Sequence, residues 1–291
     1  LKNKQLMFLL YNNKIINSLM RKKITQARVA PHLSFFKDDF LKKWGLTDYT
    51  STKEPCVFFG CTSNFDAIQK HEGFKVIWSA GPGDNIDWKL LNNKSNTAIL
   101  TGQNKFEIPP EIIFKQELIP VKDYSRFKPN VLGDKVYYYS GLDNLGGGDH
   151  NKFIKDIQDR CGYEIITTHC KAIDDYKGID WLKENYYDKC FINLNTSVSH
   201  FPLRYPDSGM STNKELGLMG RLSVMNPIYY NEVYKGMIPY KDYSREAAIE
   251  NIVEIIKVEA KKIGTVQPVI DSHTITTDEW LYLDFYQKSK Q

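Results

Sequence analysis

The chain has 291 residues, 42% of them hydrophobic and 25% charged, a balance that excludes a disordered chain and leaves room for two domains of ordinary size. A net charge of +4 is too small to argue for nucleic acid by itself and suits an anionic nucleotide ligand or an acidic membrane surface equally well. No run approaches the roughly 18 apolar residues of a membrane span, the stretch from Lys4 to Met20 lacks the small-residue cleavage site of a signal peptide, and five scattered cysteines without a Cys-x-x-Cys pair read as free thiols in the reducing cytoplasm.

Leu6 to Leu10 has the character of a strand, and Ile15 to Lys23 that of a basic amphipathic helix. Phe35, Phe36, Phe40, Leu41 and Trp44 recur at helical spacing with charges between them. They predict a helix packed on the domain below, with a basic-aromatic surface meeting an acceptor or a membrane as the alternative. From Glu54 the pattern becomes regular. Cys56 to Gly60 reads as a buried parallel strand, Asn64 to Glu72 as a helix, Lys75 to Ser79 as a strand, Asp87 to Leu91 as the start of a helix and Thr97 to Leu100 as a strand. Strands alternating with helices mean βαβ units and a parallel sheet, whose carboxyl-end loops face a ligand crevice. Gly60 to Ser63 and the turn holding Ser79, Gly81, Gly83 and Asp84 are therefore expected to be cleft loops.

Ile119 to Pro129 has two prolines and little periodicity and reads as an inter-domain linker. A second domain opens with the strand Lys135 to Tyr139, followed by Ser140 to Lys152, a loop with Gly141 and the run Gly146-Gly147-Gly148 leading to a helix over Lys152 to Arg160. That is a place for a diphosphate held by amides, with Lys152 as its charge partner. Neither a P-loop nor a Rossmann glycine fingerprint is present. Tyr163 to Thr167 and Lys189 to Leu194 predict strands, and Gly178 to Tyr187 a helix. Ser244 to Ile263 predicts a long helix capped by Ser244 and stopped by Gly264, and Asp278 to Tyr286 is a final aromatic segment.

The most informative stretch runs from Leu203 to Asn226. A polar loop, Tyr205 to Thr212, feeds a short helix over Asn213 to Met219, with Ser211, Thr212 or Asn213 able to cap it and Glu215 expected in its first turn; Gly220 ends the helix and Leu222 to Met225 is a buried strand. Free amides and a helix dipole converge there on one point, with a carboxylate beside it, which suits a phosphorylated sugar.

This stretch resembles the donor-site motif of GT-B-fold glycosyltransferases, in particular the retaining, family 4-like group with a Glu-x7-Glu pattern. Asp207 and Glu215 are eight apart, Gly209 and Met210 follow the acid, and Leu-Gly-Leu-Met-Gly follows the Glu; Asp207 departs from the family's Glu. Asp123, Phe127 and Pro129 resemble the segment by which GT-B enzymes cross between domains. The resemblance implies two Rossmann-like α/β domains with parallel sheets facing a cleft: residues 1–130 as an acceptor-side domain, 131–270 as a nucleotide-sugar-binding domain, and 271–291 crossing back to the first.

It further implies that Glu215 binds donor hydroxyls and that Asp207, helped by the amides of Gly209 and Met210, orients the sugar. By the same resemblance Ser211, Thr212, Gly141, Gly147, Gly148, Lys152, Arg204 and His169 are expected to line the donor side, with Arg221 an alternative phosphate partner. His200 and His32 are candidate catalytic histidines, and Ser79, Gly81, Gly83 and Asp84 are expected on the acceptor side. The chain has no Asp-x-Asp, which points away from the metal-dependent GT-A mode, so no metal or other cofactor is expected. The acceptor is left open among a glycan, a lipid-linked sugar, a protein and modified DNA, with peripheral membrane contact also compatible. The Lys- and Asn-rich composition suggests an AT-rich microbial or viral genome. The rival readings are a nucleotide-sugar epimerase of the same architecture and a non-catalytic sugar-nucleotide-binding protein.

Overall fold

The computed structural model describes residues 22–79, 87–101, 108–140, 147–169, 179–195, 210–225, 235–241, 244–270 and 277–287. The strand expected at Leu6 to Leu10 falls outside them, as do all but Lys22 and Lys23 of the helix expected at Ile15 to Lys23, the turn at Gly81, Gly83 and Asp84, Gly141, and the loop with His200, Arg204, Asp207 and Gly209; Lys23 forms an isolated antiparallel bridge with Tyr282 and is not helical.

Two wholly parallel sheets organise the chain, so the architecture is mixed α/β with two Rossmann-like units. The first sheet contains β1 (Gln26–Val29), β2 (Thr47–Asp48), β3 (Cys56–Phe59), β4 (Lys75–Ser79), β5 (Thr97–Thr101) and β6 (Ile113–Gln116), in the order β2-β1-β3-β4-β5-β6. The second contains β7 (Lys135–Ser140), β8 (Ile165–His169), β9 (Cys190–Asn195), β10 (Leu222–Met225) and β11 (Met237–Pro239), in the order β11-β10-β9-β7-β8. In each sheet the chain runs to one side of its first strand and then returns to the other. That puts a topological switch between β1 and β3 and another between β7 and β9, the places where such sheets open a crevice at their carboxyl ends.

The near-continuous apolar runs of β3 and β4 follow from burial on both faces. One face of the first sheet carries Val57, Phe59, Val76, Trp78 and Leu100 in one cluster, and the other carries Phe58, Ile77 and Ile99 in a second. The aromatic pattern at residues 35–44 becomes a 3-10 turn, Pro31–Phe36, running into α1 (Lys37–Trp44). Phe40 and Trp44 are buried in the first cluster, and Gly45 closes α1 in the left-handed region, φ 62°. The expected helix at 64–72 is shorter, α2 (Phe65–Lys70), preceded by a 3-10 turn at Thr62–Asn64.

The final aromatic segment packs on the first sheet's core. Trp280, Leu281 and Tyr286 join its cluster, Trp280 standing edge-on to Trp44 at 5.1 Å. Ile24 donates its amide to Leu281 O, and Lys115 Nζ donates to Phe285 O while lying 3.4 Å from that ring's centroid. These contacts hold α7 (Leu283–Gln287), from the far end of the chain, against the first unit.

In the second unit α3 (Gly147–Cys161) and α6 (Arg245–Glu259) cover one face, their apolar stripes meeting Val136, Tyr138, Ile192 and Leu194. Ser244 Oγ accepts the amide of Ala247, as the cap reading requires. The other face carries α4 (Ile179–Asn185) and α5 (Met210–Leu218), with Tyr137, Tyr187, Leu216 and Met219 between them. Three expectations are corrected here. The helix expected from Lys152 starts at Gly147, so Gly147 and Gly148 lie in a helical turn and not in a loop. The strand expected at Tyr163 to Thr167 is displaced to Ile165–His169, because Gln158 Oε1 and the turn at Gly162, φ 79°, hold the chain until Ile165. The helix expected from Asn213 begins at Met210.

Candidate active site

The linker reading of residues 119–129 is the best guide to the junction between the units. Ile119 and Val121 belong to the first core and Phe127 to a core of the second. Trp44 Nε1 donates to Pro120 O at 2.8 Å, anchoring the linker's start on α1. Asp123 accepts the amide and the hydroxyl of Ser125, which fixes the 3-10 turn Tyr124–Arg126; those hydrogen bonds hold its carboxyl below the usual range. Lys122 and Tyr124 then face one side of α5.

Their partners are Glu215 and Ser211, four residues apart and so on one helix face. Lys122 Nζ lies 2.6 Å from Glu215 Oε1, and both side chains are almost wholly buried, at 6% and 2% exposure. Ser211 Oγ donates to Glu215 Oε1 at 3.0 Å and sits 3.1 Å from Tyr124 Oη; Tyr187 Oη donates to Glu215 Oε2 at 2.7 Å. Burial, reinforced by the Glu215 charge, raises the Tyr124 phenol to about 12 and drives Tyr187 well above its ordinary value. Both therefore stay protonated at neutral pH, which is what donation to a carboxylate or hydroxyl requires.

The roles given to α5 from sequence change accordingly. Glu215 lies in the second turn, not the first, and its countercharge is an ammonium from the linker. Ser211, Thr212 and Asn213 are not caps but lie inside the helix. Ser211 reaches Glu215, Thr212 is buried, and Asn213 Oδ1 accepts from Asn193 Nδ2 at 2.8 Å and Asn195 Nδ2 at 3.4 Å. Asn193 Nδ2 also reaches Ser223 Oγ at 2.9 Å, tying α5 to β9 and β10. These ties sit at the carboxyl end of β9, whose last residue is Asn195. Met210 is the first residue of α5.

The remaining candidates divide. Gly147 and Gly148 open α3, and Lys152 is exposed on it. His169 is the last residue of β8, in register with Ser140 of β7, and not on the loop that follows. Arg221 is withdrawn as a phosphate partner. It is fully buried and donates to the carbonyls of Cys190, Met219 and Val131, so it holds the turn after α5 in place. In the first unit His32 is exposed, with Nδ1 3.3 Å from Ser63 Oγ. Those two residues follow β1 and β3, so the switch point of the first sheet carries them together. Asn64, buried behind them, receives the Arg28 Nε hydrogen bond and donates to Gly60 O. Ser79 ends β4 and is buried.

Among the described residues no group of three or more His, Cys, Asp or Glu side chains could hold a metal ion, and no helix is long and apolar enough to cross a membrane. Cys190, in the core of β9, has its thiol pushed up to about 11 by burial and is no nucleophile at neutral pH.

Sequence reasoning missed Lys122, the charge nearest the motif carboxylate. Its one local signal is a lysine directly after the apolar run Ile119 to Val121 and before Asp123; its partner is far along the chain.

The molecule so described is a two-sheet α/β protein with a buried charged cluster where its linker meets α5. No family model matches the sequence, and no curated protein matches it. Among solved structures the crystal structure of TarM matches with a TM-score of 0.42 and 10% identity, over 80% of this chain and 53% of that chain. The chain thus spans about half the length of TarM.

Proposed function

We propose that the protein is a GT-B-type glycosyltransferase that moves a hexosyl or pentosyl group from a nucleotide-sugar to an acceptor. The observation that carries this reading is the placement of the motif helix α5. It follows the central strand β9 of a parallel sheet, at that sheet's carboxyl end, and carries Ser211 and Glu215 against the linker from the first sheet. A donor diphosphate would meet the N-terminus of α5, where amides and the helix dipole favour anions, and Glu215 would take donor hydroxyls.

In this reading Asp207 orients the sugar, with the amides of Gly209 and Met210, and Arg204 or Lys152 supplies a basic partner for the diphosphate. His32, at the first sheet's switch point, and His200 are the groups that would meet the reacting hydroxyl. The phosphate charge is neutralised by amides and basic side chains without a metal, and the Glu-x7-Glu resemblance favours retention of configuration.

The test is release of free nucleotide from UDP-, GDP-, ADP-, CMP- and TDP-sugars, with and without Mn²⁺, for wild type and Glu215→Ala. Release from one donor without metal, lowered by about 30- to 1,000-fold in a folded Glu215→Ala, matches loss of roughly 2–4 kcal/mol of transition-state binding. Unchanged turnover in that variant would remove Glu215 from the site.

A further inference from the structure

The ammonium of Lys122 occupies an unusual place. It comes from the segment joining the two sheets, is almost wholly buried, and touches both units: Glu215 of α5 on one side, and the ring of Phe36, 5.7 Å away, on the other. Phe127 stands at the same distance from it. Phe36 ends the 3-10 turn that also carries His32, and Trp44 on the following helix grips the Pro120 carbonyl. The backbone on either side of Lys122 is therefore fixed, by Trp44 before it and by the Asp123–Ser125 turn after it.

A carboxylate offers about four acceptor positions. Among the described residues Lys122 and Ser211 share Oε1 of Glu215, and Tyr187 takes Oε2. That leaves room for about one further donor, such as a ligand hydroxyl, whose direction the other three dictate. Ser211 and Tyr187 belong to the second unit and restrain Glu215 within it. Lys122 alone of the three brings charge, and it alone comes from outside that unit.

We infer that Lys122 is a positioning residue. Its ammonium sets the aim of the Glu215 carboxylate toward the bound ligand, and so ties ligand binding on α5 to the seating of the linker and of the turn that carries His32. The ligand-binding half of this inference rests on the donor reading of Glu215 above; the clasp between Lys122 and Glu215 does not. An ordinary buried ion pair would stabilise or destabilise the fold equally with or without ligand. A positioning lysine changes ligand affinity beyond its effect on stability, and arginine, which keeps the charge, restores part of that affinity.

The experiment has two arms. In the first, unfolding midpoints are measured without ligand for wild type, Lys122→Met, Glu215→Gln and the double variant. The expected result is strong coupling, the double variant losing clearly less than the two single losses combined. Additive losses would overturn the clasp. In the second arm, affinity is measured by calorimetry for whichever of the UDP-, GDP-, ADP-, CMP- and TDP-sugars binds wild type, at a temperature where every variant is folded. Lys122→Met is expected to weaken binding at least tenfold, and Lys122→Arg to keep it within about threefold of wild type.

Equal affinity in wild type and Lys122→Met would overturn the positioning role while leaving the donor reading intact. If none of the nucleotide-sugars binds wild type, the donor reading falls and takes the positioning role with it, and the first arm still decides the clasp. Lys122→Gln, which keeps a donor without charge, carries both arms if Lys122→Met does not fold.

Discussion

Lys75 offers the sharpest physical test of the fold. It is the first residue of β4, fully buried, and its ammonium donates to the carbonyls of Ile68 and His71 at 3.1 and 3.2 Å. It thus donates to two carbonyls at the end of α2, of which Ile68 O also accepts the amide of His71. Burial lowers its pKa from 10.5 to about 8. The folded group releases its proton more readily than the unfolded one, so between about pH 8 and 10.5 the unfolded chain holds the extra proton. Stability must then rise with pH across that window, by up to about 3 kcal/mol at 1.36 kcal/mol per pH unit. Lys75→Met removes the titration and little volume. Urea unfolding of both proteins at pH 7.5 and 9.5, followed by tryptophan fluorescence, isolates the effect as a difference, which cancels groups common to both. Working above pH 7.5 also keeps His71 neutral, since its own pKa is lowered by burial. Wild type should gain about 2 kcal/mol on the variant between those pH values. Parallel pH dependence in the two proteins, or a relative loss by wild type, would refute a buried, desolvated Lys75.

Gly220→Ala should cost about 2–4 kcal/mol in urea unfolding, because Gly220 has φ +83° and an added Cβ would stand 2.6 Å from Gln267 O; a loss below about 0.5 kcal/mol would contradict that packing. Trp280→Ala should lose about 3–5 kcal/mol and free the last segment to proteolysis, since the ring is fully buried against Trp44 of α1. An unchanged midpoint would mean that the end of the chain does not dock on the first unit.

Much of the fold was legible because the central strands are buried on both faces. Cys56 to Phe59, Lys75 to Ser79 and Cys190 to Leu194 announce themselves as apolar runs, and Gly220 and Gly264 stop helices for the backbone reason that sequence alone suggests. What escaped was short or polar. β1 reads Gln-Ala-Arg-Val, and its strand character comes from pairing with β3, not from its own composition. β6 is a half-exposed edge strand, and β11 has three residues. The start of α5 was misplaced because Ser211, Thr212 and Asn213 look like caps locally, whereas tertiary partners in β9, β10 and the linker satisfy two of them inside the helix. The candidate site was legible as a motif around Glu215, but its charge partner was not, because a contact between linker and helix leaves no local pattern. Arg221 shows the converse: a basic residue beside the motif, suggestive in sequence, is spent on three carbonyls.

The most direct test of the central claim is a thermal-shift panel of UDP-, GDP-, ADP-, CMP- and TDP-sugars, first without metal and then with Mn²⁺. At 100 times its dissociation constant a true donor should stabilise the protein by about 2.7 kcal/mol, a shift of a few degrees. The account predicts one selective shift that needs no metal. No shift with any nucleotide-sugar on demonstrably folded protein would contradict the donor site and return the helix carrying Glu215 to an ordinary piece of α/β scaffold.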